Sequence, residues 1–273
     1  MTAKAESWQM LVAQTEQQWR AILQEPYDEA FVHQARVTLR QLRSMLAAVK
    51  KVVPPQEYTA WQEEWRGMSQ LLGALRQWDV LEESWRLIER ELGDLVKPAW
   101  DCQQLRQKEL ERVRAQAALV LQKRMRARFQ VWLEAHRRRV SCKQERKCVK
   151  KRLDKWAELL ADLQKQEDYA AEQVHRCRIV GKKLRYALEM FFPNEAEKLV
   201  LSLKRWQALL GIAHDSEIHR RWLFSEQGKA LLSVEQRAIL LGWEAARAVQ
   251  ARKQAQELGD DVLRLYRQWR RGQ

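Results

Sequence analysis

The chain has 273 residues and 46% of them are hydrophobic, which excludes a disordered tail and allows one large core or two smaller ones. Its formal net charge of +14 and its pI of about 9.8 favour an anionic partner such as nucleic acid, anionic lipid or polyphosphate. The amino terminus lacks the apolar segment of a signal peptide, and the four cysteines show no CxxC spacing. We therefore expect reduced thiols in a cytoplasmic protein with no disulfide framework, metal site, cofactor or membrane span.

Apolar positions recur with helical periodicity along almost the whole chain, and only 9 Gly and 5 Pro interrupt it. In the first half, the predicted helices span about 4–24, 28–53, 56–72 and 73–92, followed by a long helix from near Pro98 to Arg139. In the second half, they span about 141–165, 168–192, 195–210, 213–226 and 234–269. Gly73 and Gly211 are predicted to break helices, Gly93 to cap one, and Gly242 or Gly259 to bend the last. This pattern predicts an all-α protein.

Two of the predicted helices match each other residue by residue. The segments that begin at His33 and at His175 both place cations at the third, seventh and tenth positions after the histidine. A Leu-Leu-Gly sequence also recurs downstream, at residues 71–73 and 209–211. This match indicates an internal duplication, with one repeat in residues 1–140 and the other in residues 141–273. We expect two four-helix bundles related by pseudo-twofold symmetry within a single domain.

The matched cations share one face of each predicted helix, because four positions at these spacings fall within an arc of about 80°. Like charges stacked one turn apart repel each other, so such a row needs an anion or acidic side chains facing it. If both rows line one basic cavity, a linear chain of phosphates would fit it, since its charge repeats without a shape to be read. The alternative for a single row is a solvated helix face or a set of internal ion pairs.

These residues resemble a known family. HxxRVxxRxLRS at 33–44 and VHxxRxxxKKLRYxLExF at 174–191 look like the two signature helices of the CHAD domain, the conserved histidine α-helical domain. LGALRQWDV at 72–80 and LGIAHD at 210–215 resemble its later segments, so the resemblance covers almost all of residues 1–273. It implies a pair of four-helix bundles around a basic cavity that binds inorganic polyphosphate, and some members of the family associate with polyphosphate granules.

The resemblance also assigns candidate polyphosphate-binding residues, position by position. They are His33, Arg36, Arg40 and Arg43 in the first copy, His175, Arg178, Lys182, Lys183 and Arg185 in the second, and Arg66, Arg76 and Lys204 in the helices that follow. Where the family often has further charged residues, this chain has Gln41, Ala47 and Gln77. We therefore expect the first copy to bind more weakly than the second.

Two other features leave alternatives open. Residues 123–152 are rich in cations and contain only Glu134 and Glu145 as acids, so they could extend the groove, bind nucleic acid or form an exposed helix junction. The 13 Trp could stack on single-stranded nucleic acid, but six of them fall at helical core spacing, which favours packing. These six are Trp61, Trp65, Trp78, Trp85, Trp206 and Trp222.

Catalytic motifs such as a P-loop or GxSxG are absent from the sequence, and we expect no enzymatic activity. The enzymatic alternative is a phosphohydrolase that uses Asp79 and Asp215 as paired carboxylates, although each could instead orient a nearby cation. The sequence therefore predicts a non-catalytic, polyphosphate-binding protein of the cytoplasm. Nucleic-acid binding by the same basic surface is the alternative function.

Overall fold

A computed structural model describes residues 3–93, 102–140, 143–165 and 171–272, and the regular elements in these ranges are all helical. The α-helices are α1 (Ala3–Ile22), α2 (Glu29–Ala48), α3 (Pro55–Leu71), α4 (Gly73–Leu92), α5 (Cys102–Gln122), α6 (Met125–Val140), α7 (Lys143–Gln164), α8 (Ala171–Phe191), α9 (Glu197–Leu223), α10 (Glu226–Leu231) and α11 (Val234–Arg271). None of the described helices is both long enough and apolar enough to cross a bilayer. The predicted all-α class is confirmed, whereas the arrangement as two four-helix bundles about a pseudo-twofold axis and a basic cavity stays a prediction.

Several helix ends lie where local sequence signals place them. The Asp28 side chain caps α2 by accepting a hydrogen bond of 2.8 Å from the backbone N–H of Ala30. Pro55 occupies the first turn of α3, where its missing N–H costs nothing. Gly93 follows α4 with a φ of +56°, the left-handed conformation that glycine adopts readily at a helix end. The predicted break at Gly73 and cap at Gly93 are confirmed.

Two predicted helix boundaries are wrong. Gly211 does not break a helix, because α9 runs without interruption from Glu197 to Leu223, and the predicted separate helix at 213–226 is its continuation. The loss of helix propensity at one glycine is only about 1 kcal/mol, and the buried apolar residues on both sides of Gly211 outweigh it. The predicted long helix ending at Arg139 is instead two helices, since Arg124 has a left-handed φ of 47° between α5 and α6. Its predicted start at Pro98 lies outside the described residues.

The last helix, α11, continues through both Gly242 and Gly259 as one element of 38 residues. A capping box begins it: the Ser233 hydroxyl accepts from the backbone of Gln236 at 3.2 Å, and the Gln236 side chain accepts from the backbone of Ser233 at 2.9 Å. Its long packing surface against α9 holds the helix together across the two glycines.

Contacts divide the chain into two compact units. The first unit comprises the described residues of Met1–Asp79, Gln104–Asp154 and Tyr186–Phe192. The second unit comprises the described residues of Val80–Gln103, Lys155–Arg185 and Pro193–Gln273. Helices α4, α7 and α8 therefore each contribute to both units. The proposed repeats, residues 1–140 and 141–273, stay a prediction.

An aromatic cluster forms much of the core of the first unit. Trp61 and Trp65 of α3 lie 5.2 and 5.7 Å from Phe129 of α6, measured between ring centroids, and Trp132 lies 5.2 Å from the same ring. Helix α2 packs against α1 and α3 through its apolar face. Leu39, Leu42 and Leu46 of that face are fully buried, and Val37 is half-buried. This packing fixes the rotation of α2 and hence the direction of its cations.

The second unit is built on the pair of α9 and α11. The Trp206 side chain is 0% exposed, and its indole Nε1 donates a 2.9 Å hydrogen bond to the backbone carbonyl of Ala255. A further apolar cluster joins Trp85 to residues of α9 and α11, with Trp222 partly buried against it. The prediction that the six tryptophans pack in the core is confirmed for five of them, and Trp222 is half-buried.

Candidate functional site

Helix α2 carries the four candidate residues of the first copy, His33, Arg36, Arg40 and Arg43. All four side chains are half-buried, beside the apolar face that packs on α1 and α3. A half-buried cation has lost part of its hydration, so its interactions with nearby charges are stronger than those of an exposed one. The packing of α2 thus places these cations in a partly desolvated position, where they interact more strongly with nearby charges.

Arg36 connects α2 to the end of α3. Its Nη1 donates a 2.5 Å hydrogen bond to the backbone carbonyl of Ser69, in the last turn of α3. Carbonyl groups at a helix carboxyl terminus lack helical partners and carry the negative end of the helix dipole, so a guanidinium there is stabilising. Arg36 therefore holds the two helices together, in addition to any contact with a ligand.

Arg43 lies at the centre of a group of three cations in the first unit. It exchanges two hydrogen bonds with Gln62 of α3: its Nε donates to Oε1 at 3.2 Å, and the Gln62 amide donates to the Arg43 carbonyl at 2.7 Å. Burial lowers the pKa of Arg43, and the positive charges of Arg66 and Arg40 lower this pKa further. Arg40 lies one turn before Arg43 on α2 and Arg66 lies one turn after Gln62 on α3, so the structure brings Arg40, Arg43 and Arg66 together, and we call them the first-unit cluster.

The first-unit cluster has no carboxylate to neutralise it among the described residues. Neither Arg40, Arg43 nor Arg66 forms an ion pair with any described Asp or Glu. The Nε atom of Arg40 is buried and has no hydrogen-bond partner in the same part of the chain. Buried polar groups normally have partners, since an unmet donor costs about 1–3 kcal/mol. An anion at this cluster would supply both the charge and the acceptor.

Arg76, the remaining candidate of the first unit, lies beside a buried carboxylate. Its Nη1 is 4.0 Å from Oδ2 of Asp79, and the Tyr27 hydroxyl hydrogen-bonds to both carboxylate oxygens of Asp79 at 3.1 Å. Burial raises the pKa of Asp79 to about 7, although the Tyr27 hydrogen bond and the Arg76 charge both act to lower it. Asp79 thus lies against a candidate cation, in a position to orient it.

The second unit contains a cluster of two histidines and two cations. The rings of His175 on α8 and His214 on α9 lie 4.8 Å apart, centroid to centroid, with 32° between their planes. Arg178 Nη2 is 3.8 Å from Oδ1 of Asp215. We call His175, Arg178, Lys182, His214 and Asp215 the second-unit cluster.

Both histidines of this cluster favour the neutral form. Burial lowers the pKa of His214 to about 4, and the charges of Arg178 and Lys182 contribute, while Asp215 opposes them. Burial also lowers the pKa of His175, again with help from Arg178 and Lys182. At neutral pH each ring therefore offers one N–H donor beside positive charge, and an approaching anion would favour protonation of the rings.

His214 was not among the sequence-based candidates. A signal for it exists, because His214 follows Gly211 by three residues just as Arg76 follows Gly73. Arg76 was selected for its charge, whereas the histidine at the matched position was noted only as part of the LGIAHD segment. Its contact with His175 joins residues 39 apart in the chain, and the packing of α8 on α9 creates that contact.

Four candidates remain besides the two clusters, Arg36 and Arg76. Lys183 and Arg185 are half-buried on α8, Lys204 is exposed on α9, and His33 is half-buried on α2. That these residues, and the clusters themselves, bind an anion stays a prediction.

The basic stretch 123–152 is partly occupied by internal contacts. Arg128 pairs with both carboxylate oxygens of Glu64, at 3.0 and 2.8 Å, and its guanidinium lies 5.2 Å from the ring centroid of Trp61. The Lys150 ammonium lies 5.8 Å from the ring centroid of Phe192. The side chains of 137–146, which include the run of three arginines, lie outside the described part of the chain. Arg128 and Lys150 thus contribute to the packing of the first unit.

Comparisons with known proteins agree with the motifs. A family model described as the CHAD domain matches residues 7–223, a range that includes every candidate residue. A crystal structure of the CHAD domain from the plant Ricinus communis is similar with a TM-score of 0.60 and 23% sequence identity, over 91% of this chain and 88% of that chain. This likeness shows a shared fold. No curated protein matches the chain.

Proposed function

This chain belongs to the CHAD domain family, and we propose that it binds inorganic polyphosphate on its two cation clusters and catalyses no reaction. One observation carries the proposal. Arg40, Arg43 and Arg66 lie together in the first unit with no carboxylate partner among the described residues. Arg40 and Arg43 are half-buried and Arg66 is exposed. A folded protein rarely gathers three uncompensated charges of one sign, two of them partly desolvated, unless an opposite charge joins them.

The chemistry of the first-unit cluster suits phosphate groups. Guanidinium groups present planar pairs of N–H donors that match two oxygens of one phosphate. The hydrogen bonds between Arg43 and Gln62 leave the Arg43 Nη groups as donors and hold the side chain in a fixed direction. A polymer with a charge on every unit can contact several cations at once, which a single phosphate cannot do.

The second-unit cluster adds a different kind of contact. Lys182 supplies a point charge, and the ion pair with Asp215 orients Arg178. The neutral rings of His175 and His214 each have one N–H to donate to a phosphate oxygen. As the phosphate approaches, its charge raises the pKa of both histidines, and binding therefore couples to proton uptake.

Nucleic acid is the less favoured polyanion because base stacking requires exposed aromatic rings. Trp61, Trp65 and Trp206 are buried, and so are Trp78 and Trp85. These five rings cannot stack on bases, so binding to nucleic acid would depend mainly on phosphate contacts, which polyphosphate provides at higher charge density.

The test compares three triple variants, each of which removes three positive charges. The first-unit variant is Arg40→Gln/Arg43→Gln/Arg66→Gln, the second-unit variant is Arg178→Gln/Lys182→Gln/Arg185→Gln, and the control is Lys108→Gln/Lys253→Gln/Arg267→Gln. The three control positions are exposed and lie outside both clusters. Circular dichroism and thermal melts establish that all three variants fold.

Affinity for long-chain polyphosphate is then measured at four or more salt concentrations. The logarithm of the association constant should fall linearly with the logarithm of salt concentration for the wild type. Each cluster variant should reduce this slope by about 2, at about 0.7 per lost phosphate contact as for single strands, and the control by much less. Cluster variants that bind as the control does would refute the proposal.

Two further assays separate the alternatives. Single-stranded DNA and tRNA, added at equal phosphate concentration, should displace little bound polyphosphate; complete displacement would favour a general nucleic-acid-binding function. With Mg²⁺ present, phosphate release from polyphosphate or nucleoside triphosphates should stay at background. Release that Asp79→Asn or Asp215→Asn abolishes would establish a phosphohydrolase instead.

The proposal extends to location in the cell. We expect a fluorescent fusion of the chain to collect on polyphosphate granules in a cell that accumulates them. The two cluster variants should remain dispersed through the cytoplasm, whereas the charge-matched control should stay on the granules. Equal localisation of all three variants would contradict granule binding through the clusters.

A further inference from the structure

Helices α2 and α3 run side by side in opposite directions. Three contacts join α2 and the turn that follows it to α3, between Arg36 and the Ser69 carbonyl, between Arg43 and Gln62, and between Lys50 and the Tyr58 ring. From Arg36 to Arg43 and from Arg43 to Lys50 the residue number rises by seven. Their partners on α3 fall in number by seven and then by four. The cations of this row therefore repeat every two turns, or about 10 Å.

Lys50 continues this row beyond the family motif. It lies in the 3-10 turn Lys50–Val52 that follows α2, seven residues after Arg43, and its Nζ is 5.0 Å from the centroid of the Tyr58 ring. A cation over an aromatic face is held in place by a modest electrostatic attraction and keeps its other donors directed to solvent. In the sequence motif, the row of cations ends at Arg43. The packing of α3 beside α2 shows that Lys50 extends this row.

The charges of this row and of a cation on α7 both act on Tyr58. The ring is half-buried, and its hydroxyl forms no hydrogen bond with any described residue. Burial raises the pKa of Tyr58, and the charges of Arg152 and Arg43, which both act on the phenol, reduce this rise without cancelling it. At neutral pH the hydroxyl therefore keeps its proton and remains a donor near two positive charges.

Arg152 is the α7 cation whose charge acts on Tyr58. It is half-buried on α7, adjacent to the fully buried Leu153, and it forms no hydrogen bond or ion pair within the described part of the chain. It belongs to the same unit as Lys50 and Tyr58. The last residue of the basic stretch 123–152 thus lies within electrostatic range of Tyr58, which contacts Lys50 of this row.

We propose that the polyphosphate path of the first unit continues past the end of α2 over Lys50, Tyr58 and Arg152. The two cations neutralise successive phosphates, and the Tyr58 hydroxyl donates a hydrogen bond to a phosphate oxygen between them. This inference rests on the proposed function and adds a dependence on polymer length. From Arg43, the α2 member of the first-unit cluster nearest to it, to Lys50 is seven residues, or about 10 Å along the helix axis, so a long chain contacts the extension more fully than a short oligomer held at the cluster does.

The test uses Lys50→Gln/Arg152→Gln, Tyr58→Phe, and a charge-matched control, Lys108→Gln/Lys253→Gln. Affinities are measured for long-chain polyphosphate and for tripolyphosphate. For the long chain, the Lys50→Gln/Arg152→Gln variant should lose about 1.4 from the salt slope, at about 0.7 per contact, while the control changes little. Tyr58→Phe keeps the ring under Lys50 and should weaken long-chain binding about fivefold, the effect of one hydrogen bond. Tripolyphosphate binding should weaken less than long-chain binding in both variants.

The outcomes separate this inference from the proposed function. If the wild type does not bind long-chain polyphosphate, the proposed function fails and the extension fails with it. If the wild type binds but both test variants match the control, only the extension is refuted. Equal losses for tripolyphosphate and the long chain would also overturn it, since they would place these residues within the first-unit cluster. Thermal melts show whether a loss of binding reflects unfolding. If the double substitution unfolds the protein, Tyr58→Phe, which removes only one oxygen, is the decisive variant.

Discussion

Replacing Gly181 by alanine should destabilise the protein, whereas replacing Gly211 by alanine should stabilise it. Both glycines lie inside helices, Gly181 in α8 and Gly211 in α9. A Cβ atom at Gly181 would lie 2.5 Å from Cζ3 of Trp206 and 3.3 Å from its Cε3, which is closer than carbon atoms pack. A Cβ atom at Gly211 would meet no atom within 4 Å. The two substitutions are therefore chemically identical but differ in their surroundings.

The expected magnitudes follow from these surroundings. Alanine gains about 1 kcal/mol over glycine in helix propensity at either position. At Gly181 this gain is opposed by overpacking, which costs about 1–3 kcal/mol, because Trp206 is fully buried. The indole also donates a 2.9 Å hydrogen bond to Ala255, so a shift of the ring would lose about 1 kcal/mol more. We expect a net loss of about 1–3 kcal/mol for Gly181→Ala and a gain of about 0.5–1 kcal/mol for Gly211→Ala.

Thermal and urea unfolding of both variants measure this difference. A chain of this size shifts its melting temperature by about 2–4 °C per kcal/mol, so the two variants should melt about 3–16 °C apart. Gly181→Ala should also weaken polyphosphate binding, because moving α8 away from α9 separates His175 from His214 and Arg178 from Asp215. Gly211→Ala should bind as the wild type does. If Gly181→Ala is as stable as Gly211→Ala, the close approach of α8 to Trp206 is wrong.

Two further predictions concern pH. Burial raises the pKa of Asp79 from 3.8 to about 7, so the stability it contributes is present below pH 4 and is lost as the pH rises through about 7. Asp79→Asn should remove this loss, and urea midpoints at pH 4 to 8 should show a flatter profile for the variant; parallel profiles would contradict the raised pKa. For His214, burial lowers the pKa to about 4, and a bound phosphate should raise it, so polyphosphate affinity should increase as the pH falls from 7 to 5. His214→Gln should show a smaller increase in a fluorescence anisotropy titration at each pH, and an unchanged increase would exclude His214 from the site.

Much of the secondary structure could be predicted from the sequence, because the signals for it are local. Apolar residues at helical spacing predicted α2 and its row of cations, and the apolar face of that helix is buried as expected. Asp28 before α2 and Pro55 at the start of α3 mark helix ends through interactions with the next few residues. The two histidine-headed segments were found in the same way, since side chains three or four apart on a helix always share a face.

The clusters themselves depend on contacts between residues far apart in the chain. Gly211 resembles Gly73 in its local sequence, yet α9 continues through it, because helix packing can exceed the small local cost of a glycine. His214 meets His175, and Lys50 meets Tyr58, only after helices have packed side by side. The sequence by itself determined which helices form and which of their faces carry charge, since both follow from backbone geometry within a few residues. Which charged faces meet, which carboxylates are buried against them and which pKa values shift were decided by the tertiary structure, because burial and electrostatic interaction depend on distance in space.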